Sequence, residues 1–330
     1  MVKVFVAGAG SWGTALAVLV AKHGRQTTLW ARSDAQADAI NADRSNNLRL
    51  PDIPFPEGLS VTSEPEALRD HDGCLFVIPA QAARSHLEAF RAATNGAALP
   101  VALCCKGLER DTMAPMHRVL KEAWPEARGS VLSGPSFAAD VARGQPTAVT
   151  LASDDDDQRQ FWLDALATPT FRPYASNDPL GAELGGAVKN VLAIACGIAE
   201  GKGFGDSAKA AIIARGFAEL QRFGAAMGAR PETLAGLSGL GDLVLTCGSR
   251  QSRNFSLGVA LGQGAAIEDY LAEQGTVAEG AATARPLTLK ARELGVEMPI
   301  SEGVASIIDD GASVDQVIGT LMNRPLKAEA

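Results

Sequence analysis

With 330 residues, 46% of them hydrophobic and 21% charged, the chain has an ordinary globular composition and length for about two domains. A formal net charge of −8 argues against non-specific nucleic-acid binding and against a polybasic membrane patch, so any anionic ligand must be caught by a local cluster of basic groups. The five cysteines (Cys74, Cys104, Cys105, Cys196 and Cys247) stand mostly among apolar neighbours with no C-x-x-C, as expected of small core residues in a reduced, cytoplasmic compartment.

The chain opens MVKVFVAGAG, directly into a strand, with no basic stretch and long apolar run to suggest a secretory signal. No uninterrupted apolar run is long enough to span a bilayer, so membrane insertion is not expected. Strand-like runs fall at Lys3–Ala7, Thr27–Ala31, Leu59–Thr62, Cys74–Ile78, Val101–Cys105, Ser130–Leu132, Thr147–Leu151 and Phe171–Tyr174, with helical patterns between most of them. That rhythm predicts a mostly parallel sheet covered on both faces. Strand signals stop at about Pro179, and the remainder, rich in Ala, Leu and Gly, reads as helical. The expected division is an α/β domain over 1–180 and an all-helical domain over 181–330, parting at the turn-forming SNDPLG.

The first predicted turn reads VFVAGAGSWGTALA. Gly8, Gly10 and Gly13 form G-x-G-x-x-G directly after a strand and opening a helix, the fingerprint of a Rossmann-type doubly wound domain. The first glycine serves the tight turn, the second the approach of a pyrophosphate, and the third helix–strand packing, with the phosphates on the helix N-terminus. Backbone amides of Ser11 and Trp12 lie inside this loop. The second strand ends Ala31-Arg32-Ser33, where an NAD-selective fold usually carries an acidic residue. A guanidinium at Arg32 can pair with a 2′-phosphate, so NADP(H) should be accepted beside NAD(H).

The inventory narrows the hydride chemistry. All four histidines, His23, His71, His86 and His117, fall in the nucleotide-binding half; there is no Tyr-x-x-x-Lys and no His/Cys spacing for zinc, so no metal is expected. The acidic run Asp154–Asp157 reads as a cap for the following helix. Lysine is the acid/base type left. In ELGGAVKNVLAIACG, Lys189 and Asn190 interrupt a helix otherwise fit for a core. Burial there disfavours the charged amine and lowers its pKa toward a working range; the structural alternative is a lysine snorkelling to water. CCKGLE places Lys106 just past a strand's carboxyl end, and LSGPSFA places Gly134, Ser136 and Ala138 at the same edge, where open α/β sheets bind ligands. GLGDLVLTC adds a carboxylate at Asp242, and SRNFSLG adds Ser252, Arg253 and Asn254, a donor set suited to a small phosphate.

Over essentially its whole length the chain resembles bacterial NAD(P)-dependent sn-glycerol-3-phosphate dehydrogenases. The resemblance rests on GAGSWGTALA, CCKGLE, LSGPSFA, AVKNVLAIACGIAEGKGFGDSAKAAIIARG, GLGDLVLTC, SRNFSLG and VAEG. It implies reversible NAD(P)H-dependent reduction of dihydroxyacetone phosphate to sn-glycerol 3-phosphate, supplying phospholipid backbones. It further implies Lys189 as proton acceptor, Lys106 where nicotinamide and substrate meet, and Gly134, Ser136, Asp242, Ser252, Arg253 and Asn254 as substrate contacts. Ser11, Trp12, Arg32, Lys106, Ala138, Arg253, Val277 and Glu279 correspond to cofactor contacts, and a homodimer is common in the family. The alternative reading is a related two-domain reductase of another small hydroxy acid or ketone, from which the SRN cluster discriminates.

Overall fold

The computed structural model describes residues 2–274 and 278–325. Strands β1 (Lys3–Ala7), β2 (Gln26–Trp30), β3 (Leu59–Thr62), β4 (Gly73–Phe76), β5 (Pro100–Leu103), β6 (Arg128–Ser133), β7 (Thr147–Ala152) and β8 (Phe171–Ser176) fall on the eight apolar runs of the sequence, with ends moved by a residue or two. Between them lie helices α1 (Ser11–Lys22), α2 (Asp34–Asp43), α3 (Ala83–Ala93), α4 (Met116–Ala123), α5 (Ala138–Ala142) and α6 (Asp156–Leu166). After β8 the described residues are helical: α7 (Pro179–Gly201), α8 (Asp206–Met227), α9 (Pro231–Ala235), α10 (Asp242–Cys247), α11 (Arg253–Gly262), α12 (Ile267–Gln274), α13 (Glu279–Glu293), α14 (Pro299–Asp309) and α15 (Val314–Met322).

The strands form one sheet in the order β3-β2-β1-β4-β5-β6-β7-β8. All neighbours are parallel except β6 and β7. Strand order reverses between β1 and β4, which opens a crevice at the carboxyl ends of these strands. Both faces of the central strands are covered, which is why β1, β4 and β5 read as nearly continuous apolar runs. Val4 and Val6 of β1 pack with α1, α2, α5 and α6, whereas Phe5 and Ala7 pack with α3 and α4. The acidic run caps as expected: Asp155 accepts N–H bonds from Asp157 and Gln158 at the start of α6.

The helical half is organised around α7. Its length and hydropathy match those of a bilayer-crossing helix even though Glu183 and Lys189 interrupt the apolar run. Its most apolar window is 94% buried inside the protein, however, so α7 is a core helix wrapped by α8, α10, α11, α13 and α14. Polar groups fix both its approach to the sheet and its start. Asp178 accepts from the N–H of Gly181 at 2.8 Å and from that of Arg230 at 2.9 Å. Glu183 accepts from the backbone N–H of His117 at 2.8 Å and pairs with its ring at 2.7 Å, so α7 closes the open N-terminus of α4.

Another buried carboxylate does the same work between α8 and α14. Glu219 accepts from the N–H groups of Ile300 (2.6 Å) and Ser301 (3.1 Å) and from the Ser301 hydroxyl (2.9 Å). Burial raises its carboxyl to about 6, against the opposing pull of these donors. A carboxyl raised in the folded state contributes stability that is complete below its unfolded pKa and is lost as pH rises through the folded value. Urea unfolding should therefore show about 2 kcal/mol of pH-dependent destabilisation between pH 4.5 and 7 that disappears in Glu219→Gln; parallel pH profiles for the two proteins would refute the assignment.

Candidate active site

The fingerprint turn forms as its glycines require. Gly8 adopts φ +121°, and a Cβ on Gly13 would lie 1.9 Å from the Gly8 carbonyl oxygen, so α1 starts hard against the end of β1. A Cβ on Gly10 would meet nothing within 4 Å, which leaves space in front of the α1 N-terminus for a pyrophosphate. The loop after α2 braces this turn. Asn46 donates to the Ala9 carbonyl at 3.1 Å and to Thr14 Oγ1 at 2.9 Å, and Ser11 donates to the Arg49 carbonyl at 2.6 Å. Trp12, in the first turn of α1, packs on the core, while Arg32 stands exposed just past β2, and Ser33 caps α2.

The second group of predicted residues converges on one carboxylate. Lys106, past the end of β5, donates from Nζ to Asp242 Oδ2 at 2.7 Å and to the Gly134 carbonyl at 3.4 Å. Lys189 on α7 donates to Asp242 Oδ1 at 2.6 Å and to Thr246 Oγ1 at 2.8 Å. Asp242 is fully buried and Lys189 is 7% exposed. The preceding segment Leu237–Gly241 makes a wide turn closed by the Gly241 N–H on the Gly236 carbonyl at 3.0 Å, and it lies backbone against α7 at Gly185. That contact delivers Asp242, and Thr246 one turn later, to the face of α7 that carries Lys189. Thr246 was not singled out in the sequence; its only signal is its place four residues after Asp242.

The electrostatics follow from burial. Desolvation lowers the Lys189 amine, and nearby Lys106 lowers it further, while Asp242 acts to raise it; the result is about 8. Burial alone would raise the Asp242 carboxyl, but the two ammonium groups outweigh it and hold the carboxyl below its usual range. Lys189 is therefore paired rather than snorkelling.

The other predicted residues stand on the segment after β6 and at the starts of α5, α11 and α13. Ser136 donates to the Gly134 carbonyl at 3.1 Å, and Ala138 opens α5. Gly134, at φ +147°, is pressed against Val149, its Cβ position 2.9 Å from that residue's Cα. Ser252 caps α11 by accepting from the Phe255 N–H at 3.2 Å, which makes Arg253 its first residue. Asn254 accepts through Oδ1 from the Gly280 N–H at 2.9 Å, tying α11 to the start of α13. Glu279 begins α13; burial raises its carboxyl against the pull of Arg253, the Ala80 N–H, Lys106 and Lys189, so it sits between the two halves. Val277 lies outside the described residues. The histidines are engaged elsewhere: His23, His71 and His86 each bond the carbonyl four residues earlier, and His117 bonds Glu183.

A glycine turn at the carboxyl end of β1 and, two strands along the same edge past β5, a buried carboxylate carrying two lysines fit a nicotinamide-dinucleotide-dependent oxidoreductase. A family model described as NAD-dependent glycerol-3-phosphate dehydrogenase N-terminus matches residues 3–159, and one described as its C-terminus matches residues 178–319. Relatives named glycerol-3-phosphate dehydrogenase [NAD(P)+] include one from Caulobacter vibrioides, 53% identical over 99% of both chains. Another, from Parvibaculum lavamentivorans, is 51% identical over 99% of this chain and 98% of its own. The crystal structure of a glycerol-3-phosphate dehydrogenase from Coxiella burnetii superposes with a TM-score of 0.94 at 36% identity, covering 98% of this chain and 99% of that one. The chain belongs to the NAD-dependent glycerol-3-phosphate dehydrogenase family.

Replacing Asp242 by Asn leaves two ammonium groups facing each other in a buried site. The unfolding free energy should fall by about 3–5 kcal/mol, and by clearly less in Lys106→Met/Asp242→Asn. Equal losses in both, measured by urea unfolding, would mean that the carboxylate does not hold the lysines together.

Proposed function

We propose that this protein reduces dihydroxyacetone phosphate reversibly to sn-glycerol 3-phosphate with NAD(P)H. The observation that carries the reading is the sharing of buried Asp242 by Lys106 and Lys189 at the sheet edge. The names of the relatives over nearly the whole chain support it. In this reading residues 1–180 bind the dinucleotide and residues 181–330 supply the substrate site. The product feeds glycerophospholipid synthesis in the cytoplasm.

The nicotinamide, when bound, supplies hydride to the ketone carbon. The protein's own groups do the rest. The α11 N-terminus, with the Arg253 guanidinium and the donors of Ser252 and Asn254, holds the substrate phosphate; the Asn254 carbonyl oxygen is already engaged by Gly280, which leaves its amide hydrogens to donate. Binding energy from the phosphate end thereby positions the carbonyl. Lys106 and Lys189 face the oxygen as negative charge develops on it, and Lys189 delivers the proton. Asp242 and Thr246 hold Lys189 at its angle of delivery. Gly134 and Ser136 border the substrate, and Ala138 and Glu279 the cofactor. Arg32, exposed past β2, pairs with a 2′-phosphate, so NADPH is accepted as well as NADH.

Loss of NADPH absorbance on adding dihydroxyacetone phosphate, run beside unphosphorylated dihydroxyacetone, tests the substrate; equal rates with both, or none with either, would refute it. Lys189→Ala should cut kcat by about 10²–10⁴-fold with NADPH binding retained. Because the proton donor must be protonated, reduction should slow above about pH 8 in the parent protein, as its Lys189 amine deprotonates. In Arg32→Ala the preference for NADPH over NADH should narrow about tenfold, for loss of one charge-assisted contact; an unchanged kcat/KM ratio would leave Arg32 without that role.

A further inference from the structure

Two helices of the substrate half touch through their backbones. A Cβ on Gly197 of α7 would lie 2.1 Å from the Phe255 carbonyl oxygen and 2.9 Å from the Gly258 Cα; one on Gly258 would lie 2.1 Å from the Ile194 carbonyl oxygen. One turn further on, Gly201 and Gly262 repeat the contact, each with its Cβ position 3.0 Å from the other's Cα. At such distances no side chain fits, and the approach is closed by van der Waals and Cα–H···O contacts between main chains.

The pairing also fixes direction and register. Gly197 meets Gly258 and Gly201 meets Gly262, so residue numbers rise together and the helices run parallel. Counting back along both from Gly197 and Gly258, Arg253 comes level with Leu192, about one turn, roughly 5 Å along the axis, from Lys189. A third contact agrees: a Cβ on Gly280 would lie 2.4 Å from the carbonyl oxygen of Asn190, next to Lys189, and 2.9 Å from Oδ1 of Asn254, next to Arg253. The proton donor and the start of α11 are thus set on one rigid pair of helices.

We propose that Gly197, Gly201, Gly258 and Gly262 are positioning residues that fix the span between the Lys189 amine and the α11 N-terminus, and hence the span between a substrate's reacting carbonyl and its phosphate. The inference rests on the reading that α11 holds the phosphate. A methyl group on Gly258 must move about 1 Å from the Ile194 carbonyl before it reaches ordinary contact, and a displacement of that size at a reacting geometry costs on the order of 10²-fold in rate. The loss falls on substrates gripped at both ends. A ketone without phosphate does not use the span.

The test is kcat/KM for dihydroxyacetone phosphate and for dihydroxyacetone in four proteins: parent, Gly258→Ala, Arg253→Ala and Gly224→Ala. Gly224→Ala overpacks α8 against the Leu234 side chain, away from α11, and reports what general destabilisation does. Gly258→Ala should lose about 10²-fold with the phosphorylated ketone and less than about threefold with the other. Arg253→Ala should lower the same ratio, and Gly224→Ala should leave it unchanged whatever its Tm. Equal losses on both substrates in Gly258→Ala, with a lowered ratio in Arg253→Ala, would overturn the positioning role and leave the phosphate assignment standing. An unchanged ratio in Arg253→Ala would overturn the phosphate assignment itself and the positioning role with it. Should Gly258→Ala fail to fold, Gly262→Ala probes the same contact one turn further from the site, its Cβ position 2.5 Å from the Ile198 carbonyl oxygen. A smaller fall in the same ratio is expected there, and an unchanged ratio in that folded variant would overturn the proposal.

Discussion

Everything around the site depends on one buried anion. Asp242 lies out of water with a lysine on each of its carboxylate oxygens. A lone carboxylate there would take up a proton, and either lysine alone beside it would form a closed, neutral pair. Two lysines on one carboxylate leave the cluster short of negative charge. Burial lowers the Lys189 amine most, and the second lysine lowers it further against the pull of Asp242. Three separate parts of the chain must meet to hold this arrangement: the end of β5, the middle of α7 and the first turn of α10.

Helix α7 makes the meeting possible because little on it projects where other backbones have to come close. Its neighbours dock at glycines: the Leu237–Gly241 turn at Gly185, the Lys106 side chain across Gly186, and α11 at Gly197 and Gly201. Glycine lowers the intrinsic helix preference of such a segment. Burial on all sides supplies the stability that propensity does not.

What the sequence made legible was local. The fingerprint at Gly8–Gly13 could be read because strand end, turn and helix start lie within a few residues. The central strands could be read because burial on both faces makes β1, β4 and β5 nearly continuous apolar runs. Lys189 stood out because a cation among apolar neighbours demands a partner. That Asp242 is this partner was less visible, since it stands 53 residues from Lys189, and 136 from the Lys106 that shares it. Thr246 gave no chemical signal, being one hydroxyl in an apolar helix that matters only because of the turn preceding it. The glycines of α7 and α11 were visible as composition, but their pairing depends on which helices are neighbours in space. The reversal of β7 and β8 belongs to the same class, because nothing in a strand's composition encodes its direction.

The ion pair between Lys106 and Asp242 has a consequence for how the molecule works as a machine. Lys106 comes from the sheet and Asp242 from the helices, so this bond ties the two halves together. Lys106 is also one of the groups that lower the Lys189 amine. Any parting of the halves lengthens the bond, withdraws that influence, and returns the amine to a stronger hold on its proton. The acidity of the Lys189 amine is thus tied to the contact between the sheet and the helices.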